Sequence, residues 1–270
     1  MENKKLNKSE LAVKLGLARS TLYYKSRKKE RDEADKKIIL EVMDSNPSYG
    51  HKRIAPEIAM NKKKVLRLMK KFGLKPKIAR KSGWIKAGDI GLPETTYANE
   101  LKNICPIRPD IAWAGDFTYI KFKGAFIYLS TIIDIYTREV IGFALSRWHS
   151  RHLVKSALLD AIKERERLPK YFHSDQGSEY RSEEHADYLT KLGVKVSMSK
   201  KSSPWQNGYQ ESFYNNFKLE LGPINRFATD GHLAEAIYQQ IYYYNTRRRH
   251  TALNMAPTQF YQLAVKGRSN

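Results

Sequence analysis

Three carboxylates stand in settings where an acid is out of place unless it has work to do. Asp116 lies inside WAGDFTYI, an aromatic and β-branched run that reads as a buried strand. Asp175 closes the short apolar run in YFHSDQGSEY, just before a glycine. Glu211 sits in the helical stretch NGYQESFYNNFKLE, with 35 residues between it and Asp175. Taken singly, each has a plain structural explanation: a strand-edge acid, a turn former, a solvated helix residue. Taken jointly they are read as one metal site, because clustered carboxylates supply hard oxygen ligands and would repel one another without a cation.

The elements that must position them can be traced along the chain. After Pro106 three runs, WAGDFTYIKF, AFIYLSTIIDIY and REVIGFALS, are rich in aromatic and β-branched residues and separated by turn-like stretches, which predicts an antiparallel meander. An amphipathic helix over 150–167 follows, with Leu153, Ala157, Leu158 and Ile162 inward and Pro169 beyond its end. A short strand at Tyr171, a helix over 183–192, a strand over 194–198 and a helix over 204–221 complete the pattern. Three meander strands followed by alternating helix and strand predict an α/β fold, a mixed sheet flanked by helices. In the last helix Ser203 and Gln206 have capping-box spacing with Pro204 at the first position. At 100° per residue Asn207, Glu211, Asn215 and Lys218 share one side, and Phe213, Phe217 and Leu221 another. Asp134, in TIIDIYTRE, is assigned to the hairpin rather than to the site.

The N-terminal part is small, helical and basic. KSELAVKLGLARSTLYY predicts a helix-turn-helix, with Ser9 and Ser20 as caps, Gly16 at the turn, and Arg19, Thr21 and Lys25 facing DNA. The charged stretch to Lys37 reads as a solvated helix or linker. A second helical pair spans 49–72, capped at Asn61, with Val65, Leu66, Leu68 and Met69 inward. Lys62, Lys63, Lys64, Arg67, Lys70 and Lys71 form a basic ridge suited to phosphates. The expected segments are a helix-turn-helix-like segment over 1–30, a second helical DNA-binding module over 31–80, a Pro- and Gly-containing linker over 81–105, a catalytic core over 106–225 and a helical extension over 226–270.

Composition narrows the partners. The 270 residues carry 49 Lys+Arg against 28 Asp+Glu, a net charge of +21, and the first hundred hold 25 against 12. Such an excess favours a polyanion, nucleic acid above all. One cysteine, Cys105, excludes an internal disulfide and a cysteine-based zinc cluster, and is expected to be a small buried thiol. No apolar run approaches the roughly 20 residues that cross a bilayer. No membrane role and a cytoplasmic, nucleoid-associated location are expected.

The flanking residues bring a family into view. WAGDFTYI is similar to a W-x-x-D-x-T-Y-I strand, HSDQGSEY to an H-S-D-x-G-x-x-Y turn and QESFYNNFK to an E-S-F helix of insertion-sequence transposases of the retroviral-integrase superfamily. More narrowly, the chain resembles the second-frame product of insertion-sequence family 3. YYNTRRRHTALNMAPTQF fits that family's Y-N-x-x-R-x-H-x-x-L pattern through Tyr244, Asn245, Arg248, His250 and Leu253, and YGHKRI and VLRLMKKFGL match its upstream DNA-binding helices. The resemblance extends from about Tyr49 onward.

This resemblance implies a ribonuclease H-like fold and a D-D-E site of Asp116, Asp175 and Glu211 using two Mg²⁺ or Mn²⁺ ions, with Asp116 bridging. It implies metal-dependent cleavage at transposon ends followed by strand transfer on double-stranded DNA, by a homo-oligomer, with a first-frame product as a possible partner. Lys218, seven residues after Glu211, occupies the place of a family DNA contact. Asn207, Asn215, His173, Arg248 and His250 join Lys62, Lys63, Arg67 and Arg19 as candidate DNA contacts. Two rivals remain open: a catalytically inactive DNA-binding regulator, and a ribonuclease H-like nuclease that does not join ends.

Overall fold

The computed structural model describes residues 7–24, 26–78, 97–200 and 207–267. The chain divides into two compact units, Met1–Pro76 and Lys77–Asn270.

The first unit is helical: α1 (Lys8–Lys14), α2 (Arg19–Tyr23), α3 (Lys28–Ser45), α4 (His51–Glu57) and α5 (Lys62–Lys71). Asn7, not Ser9, caps α1, its side chain accepting the Ser9 N–H at 3.1 Å. Asparagine is among the best cap residues, and here it stands two positions earlier. The cap position of α2 is Ala18, with no side-chain cap, so Ser20 falls inside the helix. Gly16 takes φ +64° at the turn between the two helices, a left-handed conformation that glycine adopts without penalty.

The charged stretch 28–45 forms one long helix. Most of its charged side chains are exposed, and tertiary ion pairs tie it to α5. Arg67 of α5 makes a two-pronged bond to Asp32, at 2.7 and 3.0 Å, and Lys71 adds a third contact at 2.7 Å. These cations hold the Asp32 carboxyl well below the usual carboxylate range. Lys64 pairs with Asp35 at 2.7 Å. Ile39, Tyr49, Ile54, Val65, Leu68 and Met69 form the core beneath. Asn61 caps α5 as its position predicts, accepting from the Lys63 N–H.

The second unit is built on a five-stranded sheet of β1 (Ala112–Phe122), β2 (Ala125–Asp134), β3 (Val140–Ser146), β4 (Tyr171–Ser174) and β5 (Lys195–Met198), in the order β3-β2-β1-β4-β5. β1, β2 and β3 form the antiparallel meander, and β4 and β5 are parallel to β1. Helices α6 (Arg151–Arg165) and α7 (Glu183–Lys191) pack with Trp113, Ile132, Ile141 and Phe172 on one side of the sheet. Helices α8 (Gly208–Leu221) and α9 (Asp230–Thr246) pack with Ile120, Phe122, Leu129 and Ile133 on the other. The tight seam is β3 against α6. A Cβ on Gly142 would lie 2.4 Å from the backbone of both Ala157 and Ala161, so only glycine allows that approach.

Asp134 is the hairpin residue its context predicts. It accepts from the backbone N–H groups of Asp110, Tyr136 and Thr137, at 2.7 to 3.0 Å, and from the Thr137 hydroxyl. Helix α10 (Pro257–Lys266) docks through a buried cluster in which Arg165 pairs with Glu139, Glu139 accepts from Thr258, and Tyr261 stacks under the Arg165 guanidinium at 3.7 Å. Cys105 is exposed, not buried. Among the described residues no helix is long and apolar enough to cross a membrane.

Candidate active site

Asp116 sits midway along β1, where pairing with β4 has already ended: the parallel register runs only from Ala112 to Ala114. The freed edge of β1 faces the turn that follows β4, and that turn carries Asp175. Each acid is tied to its own backbone. Asp116 Oδ1 accepts the Phe117 N–H at 2.8 Å, and Asp175 Oδ1 accepts the Gly177 N–H at 2.9 Å. Burial pushes the Asp116 carboxyl up to about 8, with the neighbouring Asp175 charge adding to the shift and Lys218 opposing it. Burial raises Asp175 as well, and Glu179 adds repulsion. Burial, joined at Asp116 by the charge of Asp175 and at Asp175 by that of Glu179, makes both carboxyls favour protonation, and a divalent cation would neutralise such a site.

Helix α8 is held against β1 by a stripe of polar side chains. Gln210, fully buried, donates to the Ala114 carbonyl at 2.6 Å and the Thr131 carbonyl at 3.0 Å, and accepts from the Thr131 hydroxyl at 2.9 Å. Tyr214 donates to the backbone carbonyl of Asp116 itself at 2.8 Å. The apolar side, Phe213, Phe217 and Leu221, is buried as the periodicity predicts. Glu211, one residue around from Gln210, is exposed, as are Asn215 and Lys218. Lys218 sits over the Tyr119 ring at 5.3 Å, close enough to Asp116 to act on its titration.

Asp116 and Asp175 are therefore neighbours, while Glu211 stands on the rim. Among the described residues no three His, Cys, Asp or Glu side chains are gathered tightly enough to hold one ion. The expected capping box at Ser203, Pro204 and Gln206 lies outside the described residues, and the described helix starts at Gly208.

Several candidate DNA contacts are buried or engaged within the fold. Asn207 is 5% exposed and donates to the Gly115 carbonyl, because the start of α8 presses it against the sheet. His173 is 1% exposed, since β4 lies inside the sheet, and its Nδ1 meets Ser197 Oγ of β5 at 2.9 Å. Arg248, also 1% exposed, clamps Glu220 at 2.8 and 3.0 Å. Its motif partners do the same kind of work. Asn245 exchanges two hydrogen bonds with the Val140 backbone, and the Tyr244 hydroxyl donates to the Arg138 carbonyl. The Y-N-x-x-R motif thus fastens α9 to β3 and α8. His250 is half-buried in a bridge to Met255. Arg67 is engaged by Asp32, whereas Arg19, Lys62 and Lys63 are exposed. Sequence reasoning missed Gln210 and Tyr214, whose only signal is their spacing of three and seven residues from Asn207.

A mixed sheet in this strand order, with an acid on the central strand and another after the adjoining parallel strand, defines a ribonuclease H-like, integrase-type core. Family models described as Integrase core domain match residues 106–204 and 192–257, and one described as HTH-like domain matches residues 30–82. A solved core of the HTLV-2 integrase in complex with magnesium shares the fold at TM-score 0.50 and 20% identity, covering 58% of this chain and 99% of that one. Among curated relatives, the transposase for insertion sequence element IS904 of Lactococcus lactis is 32% identical, over 83% of this chain and 91% of its own. The putative transposase InsK for IS150 of Escherichia coli is 33% identical, over 88% and 87%. InsF for IS3A of the same species is 28% identical, over 87% and 84%. The chain belongs to the insertion-sequence family 3 transposases, with an integrase-like catalytic core.

Proposed function

We propose that this chain cuts DNA at the ends of its element and joins the freed ends to new DNA, with Asp116, Asp175 and Glu211 as its catalytic acids. The family is one of DNA transposition by an integrase-like core, and the observation that supports the residue assignment is the Asp116–Asp175 pair beside a helix hydrogen-bonded to Asp116's own carbonyl. Asp116 and Asp175 would hold one side of a divalent-ion site and Glu211 would complete it by turning inward from the rim. Bound there, two Mg²⁺ or Mn²⁺ ions would activate the attacking oxygen and offset charge on the leaving one.

The chain's own contribution is position. The backbone bonds at Phe117 and Gly177 fix both acids, and the Gln210–Tyr214 stripe fixes the helix that delivers Glu211. In the first step a water oxygen forms a bond to phosphorus as the bond to a 3′-oxygen breaks, leaving a 3′-hydroxyl. In the second that hydroxyl bonds to a target phosphorus while another P–O bond breaks, so no covalent protein intermediate is needed. Lys218 lies where it can meet a phosphate next to the acids, and exposed Lys62, Lys63 and Arg19 are suited to the flanking duplex. Two ends must be joined, so a homo-oligomer on DNA is expected.

Labelled element-end duplex incubated with Mg²⁺ tests this reading. Nicked and joined products are expected from the native protein, and neither from Asp116→Asn or Glu211→Gln. Unchanged products from either variant would overturn the assignment. Nicks without joined products would indicate a nuclease instead.

A further inference from the structure

Beside the acids the sheet carries a surface that the chemistry above does not use. Residues directly opposite in an antiparallel pair share a face, and here Phe117 lies opposite Ser130, Tyr119 opposite Tyr128, and Lys121 opposite Phe126. This is the α6 side of the sheet. The core under α6 and α7 is centred on Trp113, Ile132 and Ile141, and Phe117 is only partly buried at its margin. Beyond Phe117 the strands run on bare. Tyr119 is 57% exposed, Phe126 42%, and Trp148, next to His149 in the chain, 78%.

The rings form a continuous run rather than scattered exposures. Centroids are 4.5 Å apart from Phe117 to His149, 5.2 Å from His149 to Tyr128, 6.3 Å from Tyr128 to Phe126, and 5.3 Å from Phe126 to Tyr119. Its inner end touches the active-site turn: a Cβ on Gly177 would lie 3.6 Å from the Phe117 ring and 3.0 Å from Asp175 Oδ1. His149 Nδ1 also meets Glu179 of that turn at 3.0 Å. Its outer end is cationic, with Lys218 above Tyr119 and exposed Lys121 beside Phe126.

We propose that this strip binds a single-stranded stretch of the DNA substrate next to the phosphate being cut, its rings stacking on unpaired bases and its lysines meeting their phosphates. Duplex bases are already stacked on each other, so a row of aromatic faces adds nothing for an intact helix, whereas every unpaired base offers a π-face. The positive rim and the net charge of +21 favour such a polyanion over an apolar protein partner. Continuity with the Asp175 turn places the strand at the reaction centre. The inference rests on the transposase reading given above.

Binding without chemistry separates the two. Fluorescence anisotropy in EDTA, with the full chain and a labelled oligothymidine strand against a duplex of equal length, reads stacking alone. The double variant Tyr119→Ala/Phe126→Ala should lose single-strand affinity by at least about 5-fold per ring removed, with duplex affinity held within about twofold. Tyr119→Phe, which keeps the ring, should bind the single strand like the native chain. Both rings are exposed, so an unchanged melting temperature is expected and checks the fold. Equal single-strand affinity in native and double-alanine chains would overturn the proposal. So would a change in sedimentation with binding intact, which would mark a surface between copies of the chain. Neither outcome alters whether Asp116→Asn abolishes cleavage, so failure here and failure of the catalytic assignment are distinguishable.

Discussion

Replacing Gln210 with methionine should disable the active site without touching an acid. Methionine keeps the length and much of the volume of the side chain, so little cavity is created, and the loss is confined to hydrogen bonds. Three go: those to the Ala114 and Thr131 carbonyls and the one from the Thr131 hydroxyl. The hydroxyl keeps Tyr214 as a partner, at 2.8 Å, so its loss is small. The two strand carbonyls keep the β1–β2 ladder, in which Ala114 pairs with Ile133 and Thr131 with Asp116, so each loses a second hydrogen bond and the expected cost is about 1 to 3 kcal/mol. That is less than the roughly 5 to 15 kcal/mol of a typical domain, so the protein still folds. It shows as a lower urea midpoint at constant slope. The functional effect should be larger than the stability loss suggests. Gln210 precedes Glu211, and a displacement of about 1 Å in a catalytic group can cost on the order of 100-fold in rate. Single-turnover cleavage of end DNA should fall by about that factor, with little change in DNA affinity. A midpoint within about 0.5 kcal/mol of the native value, together with unchanged cleavage, would refute the idea that this side chain sets the helix.

Arg248→Ala should destabilise the protein by about 3 kcal/mol, because Glu220 is left buried without its cation, and should leave the salt dependence of DNA binding unchanged. Lys62→Ala should do the reverse: stability within about 0.5 kcal/mol, but a salt slope shallower by about 1 if the lysine neutralises one phosphate. Titration of both by anisotropy decides between structural and phosphate-contacting cations. His185 lies edge-on to Phe172 and Tyr180, and burial lowers its pKa from 6.5 to about 4. The unfolded chain takes up that proton first, so its contribution to stability is complete above pH 6.5 and is lost as the pH falls toward 4. The loss approaches about 3 kcal/mol. Denaturation series should show that slope in the native protein and a flatter one in His185→Phe. Gly142→Ala drives a methyl into two backbone atoms of α6, so a loss of about 3 kcal/mol or more is expected from overpacking, read as a fall in melting temperature.

Much of this protein was legible in one dimension because the signals are local. Alternating aromatic and β-branched residues mark β1 to β3 by their own period, and Asn61 and Gly16 punctuate the helices around them through backbone geometry that needs no distant partner. The acids stood out because Asp116 interrupts a strand and Asp175 ends one. Tertiary structure decided which polar residues are enclosed and which reach the surface. A histidine before an acid and an arginine run near a helix end look alike on paper whether they face DNA or the interior. His173 is enclosed because β4 acquires β1 and β5 as neighbours, and Arg248 because α9 folds back onto Glu220. Gln210 and Tyr214 read as ordinary helix residues until β1 lies beneath them. Burial depends on what the rest of the chain places alongside a residue, and local sequence carries no record of that neighbour.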